Sequence, residues 1–99
     1  MGIAPMFDDY EPLRIRGGTL IDVRTEEEFE LEHAKDAILI PMNEVSDRLD
    51  EIRNFKKPLI LCCRSGSRSQ SVKEFLIASG LQDVYNIGPW QMATSEKNK

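Results

Sequence analysis

Short apolar runs alternate with helical spacings along this chain. Thr19-Leu20-Ile21-Asp22-Val23 follows the turn signal Gly17-Gly18 and is apolar and β-branched, which predicts a buried strand. Thr25 and Glu28 then form a T-x-x-E capping box with carboxylates in the first turn, so a helix is predicted to begin at Thr25. Ala37–Ile40 is a second apolar run, ended by Pro41, which has no N–H to give to a ladder. Val45, Leu49 and Ile52 recur at i, i+4, i+7 behind Asn43, which predicts an amphipathic helix with Asn43 as its N-cap. Pro58-Leu59-Ile60-Leu61-Cys62 is the most apolar run and predicts a middle strand buried on both faces, with Cys62 as its last residue. Beyond the polar stretch Arg64–Ser69, the spacing of Val72, Phe75, Leu76 and Ser79 predicts a helix closed by Gly80, and Asp83–Ile87 reads as a fourth strand. This alternation implies βαβ crossovers: an α/β fold with a mainly parallel sheet of four to five strands and helices on both faces, whose site lies at the carboxyl ends of the strands.

Ninety-nine residues make one domain's worth of chain. Residues 19–93 are expected to form it, with 1–18 as an N-terminal segment and 94–99 as a frayed polar tail. Apolar residues at 40% and charged residues at 30% match ordinary globular usage. No run approaches the roughly 20 apolar residues of a membrane span, and Met1–Tyr10 lacks the basic and apolar regions of a secretory signal, so a soluble cytoplasmic protein without a membrane partner is expected. The net charge of −4 conceals an asymmetry. Residues 1–54 carry 6 Lys/Arg against 14 Asp/Glu, and residues 55–99 carry 7 against 3. The acidic total argues against a nucleic-acid partner but leaves room for a local basic site that takes a small anion.

The only two cysteines, Cys62 and Cys63, are adjacent, which excludes a loop-closing disulfide framework. With His33 as the only histidine, the ligand count falls short of a four-ligand zinc site, so no metal is expected. The pair instead opens the run Cys63-Arg64-Ser65-Gly66-Ser67-Arg68-Ser69, which joins the predicted middle strand directly to a helix. A tight Ser/Gly turn of this kind aims successive backbone N–H groups into one concavity at the positive end of a helix. Arg64 and Arg68 add two permanent charges. A cysteine at the mouth of such a nest has its thiolate favoured over its thiol, and is nucleophilic near neutral pH without a histidine base.

Leu20-Ile21-Asp22-Val23-Arg24-Thr25, followed by Glu27-Glu28-Phe29 and His33, together with the Cys63–Ser69 loop, resembles single-domain rhodaneses, the thiosulfate sulfurtransferase family. The resemblance covers roughly residues 19–87 and implies a rhodanese-like three-layer α/β/α fold. It implies that Cys63 accepts a sulfane sulfur as a persulfide and that the amides of Arg64 through Arg68 cradle it, with no cofactor beyond that covalent intermediate. Implied partners are a small anionic donor (thiosulfate or a persulfide) and cyanide or a thiol as acceptor, with room for a protein donor or acceptor. Two segments depart from the family pattern. Asn86-Ile87-Gly88-Pro89-Trp90 is compressed and carries Pro89 where a second glycine is usual, and Ala34-Lys35-Asp36-Ala37 replaces Ile-Pro-Gly-Ala.

Three functions stay open on the sequence. The first is the sulfurtransferase. The second is a sulfur carrier or interaction module that docks through the acidic half and does not turn over. In the third, Cys62 and Arg68 form the C-x5-R loop of a cysteine phosphatase or arsenate reductase, against which stand Leu61, where protein-tyrosine phosphatases place a histidine, and a loop without an acid. Cys63 is favoured as the nucleophile. Asp22 is expected either to support the active loop or to pair with Arg24, with Arg24 holding Glu28. His33 is expected to be structural, Trp90 to cover the pocket or pack on the sheet edge, and Ser65, Ser67 and Ser69 to donate to the persulfide or cap the helix.

Overall fold

The computed structural model describes residues 6–94. Its centre is a four-stranded, wholly parallel sheet of order β2-β1-β3-β4, built from β1 (Thr19–Asp22), β2 (Ile38–Leu39), β3 (Leu59–Cys63) and β4 (Val84–Pro89). Every residue of β3 is buried, as the unbroken apolar run requires of a strand covered on both faces. Successive side chains of a strand point to opposite faces. Leu59, Leu61 and Cys63 therefore enter one core, with Ile52 of α3 (Leu49–Arg53) and Val72 and Leu76 of α4 (Ser67–Ala78). Ile60 and Cys62 enter the other, with Leu13 of α1 (Tyr10–Ile15), Ile87, and Trp90 and Ala93 of a closing 3-10 turn. Helices thus lie on both faces, and the three-layer α/β/α architecture is present.

Local chemistry accounts for most boundaries. α2 (Glu26–Leu31) is capped as its sequence predicts: Thr25 Oγ accepts from Glu28 N at 3.2 Å, and Glu28 Oε1 accepts from Thr25 N at 2.9 Å. No residue of α2 is buried, so the box and the contacts of Glu28 fix the helix at the carboxyl edge of the sheet. α4 ends where Gly80, at φ +95°, closes it.

Three expectations are corrected. Asn43 caps no helix: Pro41 opens a 3-10 turn over Met42–Glu44, and α3 begins only at Leu49, behind Arg48. Val45 and Ile52 are nevertheless buried, since their spacing serves the core across the turn. β3 runs one residue further than expected, so Cys63 and not Cys62 ends it. β4 reaches Pro89, because a bulge between the partners of Leu61 and Cys62 takes up Ile87 and keeps the ladder going. Within the N-terminal segment, α1 places Leu13 in the second core. From residue 95 onward the expected frayed tail lies outside the described residues.

Candidate active site

The loop that follows Cys63 turns back at once into α4, and the residue that makes this possible is Gly66. It precedes the helix at φ +102°, in the left-handed region, and a Cβ there would lie 2.3 Å from the ring of Phe7. The turn points its amides at the sulfur. Cys63 Sγ accepts from Gly66 N at 3.0 Å and from Ser69 N at 3.4 Å, and Ser69 Oγ lies 3.3 Å away. Burial opposes ionisation of Cys63. The Ser69 hydroxyl and the amides of Ser69, Gly66 and Ser65 outweigh it, so the thiol is held below its ordinary value. Cys62 has the opposite fate: burial, reinforced by the charge of Asp22, pushes its thiol far up. Its side chain enters the second core beside Leu13 and Trp90, away from the loop's side of the sheet.

The two loop arginines have different roles. Arg68 makes a forked ion pair with Glu28, Nη1 to Oε1 at 2.8 Å and Nη2 to Oε2 at 3.0 Å, across 40 residues of sequence. That pair, seconded by the Thr25 amide, holds the Glu28 carboxyl down at about 2. One carboxylate therefore caps α2 and clamps the first turn of α4. Arg64 is exposed and meets no partner among the described residues. Ser65 and Ser67 are exposed on the same rim, while Ser69 is fully buried.

Among the described residues the Asp22 side chain hydrogen-bonds to Arg24 and not to the loop. Its carboxylate accepts from the Arg24 amide at 3.0 Å, from Arg24 Nε at 2.9 and 3.0 Å and from Nη2 at 2.8 Å, and both side chains are buried. Arg24 also donates to Glu32 O at 2.8 Å and lies 5.0 Å over the Trp90 ring. In this cluster Arg24 holds Asp22, Glu28 pairs with Arg68 and not with Arg24, and Trp90 packs in the second core, opposite Cys63. His33 stacks on Phe29, centroids 3.7 Å apart, with Nδ1 2.6 Å from Phe29 O.

Sequence reasoning assigned no role to Phe7, Asp8 or Asn86. The Phe7 ring lies against Gly66 and Gly88, both at positive φ. Asp8 pairs with Asn86 in both directions, N to O at 2.8 Å and Oδ2 from Asn86 N at 3.0 Å. The Asn86 side chain is buried between β4 and the start of α4, and accepts from Ser69 Oγ at 2.7 Å. A polar residue inside the apolar run Val84–Ile87 was the one available signal.

Set beside known proteins, the Rhodanese-like domain family model matches residues 6–88. The chain belongs to the rhodanese-like domain family. This rhodanese-like domain is 34% identical over 77 residues to a protein named thiosulfate sulfurtransferase GlpE from Pseudomonas syringae pv. syringae, an alignment that spans 78% of this chain and 72% of that protein. Among solved structures it is similar to a rhodanese-like domain protein from Staphylococcus aureus, with a TM-score of 0.66 and 34% identity over 77% of this chain and 72% of that one. It is also similar to a rhodanese from E. coli solved with anions, with a TM-score of 0.68 and 32% identity over 75% and 88%. The match begins ahead of α1, in keeping with the contacts of Phe7 and Asp8. No helix of the described residues is long and apolar enough to cross a membrane.

Proposed function

We propose that this rhodanese-like domain is a sulfurtransferase that carries a sulfane sulfur on Cys63. The observation that carries the reading is the buried sulfur at the head of a parallel-strand loop, with the Gly66 and Ser69 amides and the Ser69 hydroxyl gathered on it. The Cys63 thiolate attacks the outer sulfur of a donor, either thiosulfate or a persulfide R–S–S−. The Cys63 S–S bond forms as the donor's S–S bond breaks, and sulfite or RS− leaves with the electron pair. Charge is conserved, and the negative charge now sits on the outer sulfur. Donors already in place around that anion need no reorganisation to hold it. Cyanide or a thiolate then attacks the outer sulfur, takes it as thiocyanate or a new persulfide, and returns the Cys63 thiolate. No other cofactor enters the cycle. Arg64, with no partner among the described residues, attracts the anionic donor.

Cys62 is a poor candidate for the alternative nucleophile, because its thiol is buried in the second core and its ionisation is opposed. Arg68, which a phosphate loop would present to its substrate, is instead clamped by Glu28. The test is intact-protein mass spectrometry after incubation with thiosulfate, together with a cyanolysis assay. A one-sulfur adduct that Cys63→Ser removes and Cys62→Ser leaves is expected. An adduct lost only in Cys62→Ser, or none with either donor class, would overturn the assignment. Loading without cyanolysis would redefine the domain as a carrier.

A further inference from the structure

Asn86 lies just ahead of the β4 bulge, 1% exposed, and its amide has only one possible orientation. Oδ1 accepts from Gly88 N at 2.9 Å, while Nδ2 donates to Gly66 O at 3.1 Å and to Gln70 Oε1 at 3.1 Å. A backbone N–H can only donate and a carbonyl can only accept, so oxygen and nitrogen cannot be exchanged. The oxygen held in this way also accepts from Ser69 Oγ at 2.7 Å. On its other side Ser69 Oγ lies 3.3 Å from Cys63 Sγ and 3.2 Å from Gly66 O, a carbonyl that already accepts from Asn86 Nδ2 and Gln70 N. A serine hydroxyl has a single proton. Ser69 therefore cannot donate to Asn86 and to the sulfur at the same time.

We propose that the Ser69 proton is a two-position switch set by the charge on Cys63, held by Asn86 Oδ1 while Cys63 is a thiol and turned onto Sγ when the thiolate forms. In the thiol state the S–H donates into the Ser69 oxygen and Ser69 donates to Asn86, a directed chain that leaves no donor idle. In the thiolate state the sulfur becomes the stronger, charged acceptor, and it gains the Ser69 hydroxyl as a further donor beside the amides of Gly66, Ser69 and Ser65. Asn86 Oδ1 keeps Gly88 N meanwhile. A persulfide moves the charge to the outer sulfur, so the proton returns to Asn86. Only this last step rests on the sulfurtransferase reading. Asn86 is thus a positioning residue that competes with the sulfur for one proton, and it touches no substrate.

The competition fixes the sign of each substitution. Ser69→Ala removes the movable donor and raises the Cys63 pKa by about one pH unit. Asn86→Ala removes the competitor and lowers it. In the double variant the Asn86 change has no further effect. The charged groups facing the loop, Arg64 and the Arg68–Glu28 pair, are common to all these proteins. Thiolate absorbance in the far ultraviolet gives the titration, since Cys62 stays protonated across the range. The infrared S–H stretch gives an independent readout. With Cys62→Ala to assign the bands, the Cys63 S–H band of the wild type lies at lower frequency than that of Ser69→Ala, and Ser69→Thr keeps it low. If Asn86→Ala does not fold, this comparison decides alone. A rise in pKa for Asn86→Ala, an Asn86 effect that persists without the hydroxyl, or a Cys63 band indifferent to Ser69 would each overturn the switch. Persulfide loading, measured separately, distinguishes the two ideas: loading with an indifferent band retains sulfur transfer and removes the switch, and a shifted band without loading does the reverse.

Discussion

Glu28→Gln is the sharpest perturbation of the site's frame, because it changes one of Glu28's two roles and spares the other. Glutamine still completes a capping box, so α2 keeps its N-terminus. What is lost is the negative charge that faces the Arg68 fork at 2.8 and 3.0 Å. Glu28 falls from 4.5 to about 2, which taken at face value corresponds to ~3 kcal/mol. Solvent reaches about a quarter of each side chain, 28% for Arg68 and 27% for Glu28, so screening reduces this to about 1–2 kcal/mol. The measurement is urea unfolding followed by the fluorescence of Trp90, the only tryptophan and a buried one. At neutral pH the variant is expected to be less stable by that amount. The folded-state pKa is the depressed one, so the stabilisation is complete above the unfolded value near 4.5 and is lost as pH falls toward 2. The gap between the two proteins should therefore close by more than half on going from pH 7 to pH 3. Other carboxylates titrate in both proteins and cancel. A gap that is negligible at pH 7, or that stays constant down to pH 3, would refute the idea that this ion pair joins α2 to α4.

Three further outcomes follow from the same geometry. Arg64→Ala should raise KM for thiosulfate by roughly fivefold, the equivalent of about 1 kcal/mol of lost attraction, with Tm unchanged and with weaker dependence of the rate on salt. Gly66→Ala forces a side chain into the left-handed region and against Phe7, and should cost more than about 2 kcal/mol in denaturant unfolding while raising the Cys63 pKa as the amide moves off the sulfur. Asp22→Asn leaves the buried Arg24 without its charged partner and should destabilise the domain by about 3 kcal/mol, yet leave the Cys63 titration where it was; a shift in that titration would restore Asp22 to the loop.

What could be read in the sequence was whatever is contiguous in it. The Thr25–Glu28 box, the apolar run of β3 and the Cys63–Ser69 loop are each spelled out within a few residues, and local rules suffice for them. Helices one or two turns long leave too little periodicity to read: α1 buries only Leu13, and the 3-10 turn at Met42 breaks the register that Asn43 was expected to start. The clamp from Glu28 to Arg68 and the contact from Ser69 to Asn86 span 40 and 17 residues, and no local pattern announces either. Arg68 illustrates the difference. Its presence in the loop was legible, but that Glu28 already occupies its guanidinium follows only from the way α2 packs beside the loop. The β4 bulge was equally hidden, although it falls at Ile87, immediately ahead of the Gly88-Pro89 pair that departs from the family pattern.

Strand alternation has one more consequence, for where the sulfur can go. Cys62 and Cys63 are consecutive, yet the sheet separates their side chains into different cores. They are the only cysteines of the chain. On the sulfurtransferase reading proposed above, a persulfide on Cys63 would therefore find no second thiol of this chain to attack it, and would not discharge by closing a disulfide within the chain. The sulfur would then wait for a nucleophile from outside the chain, and its lifetime on the protein would be set by the concentration and reach of that acceptor.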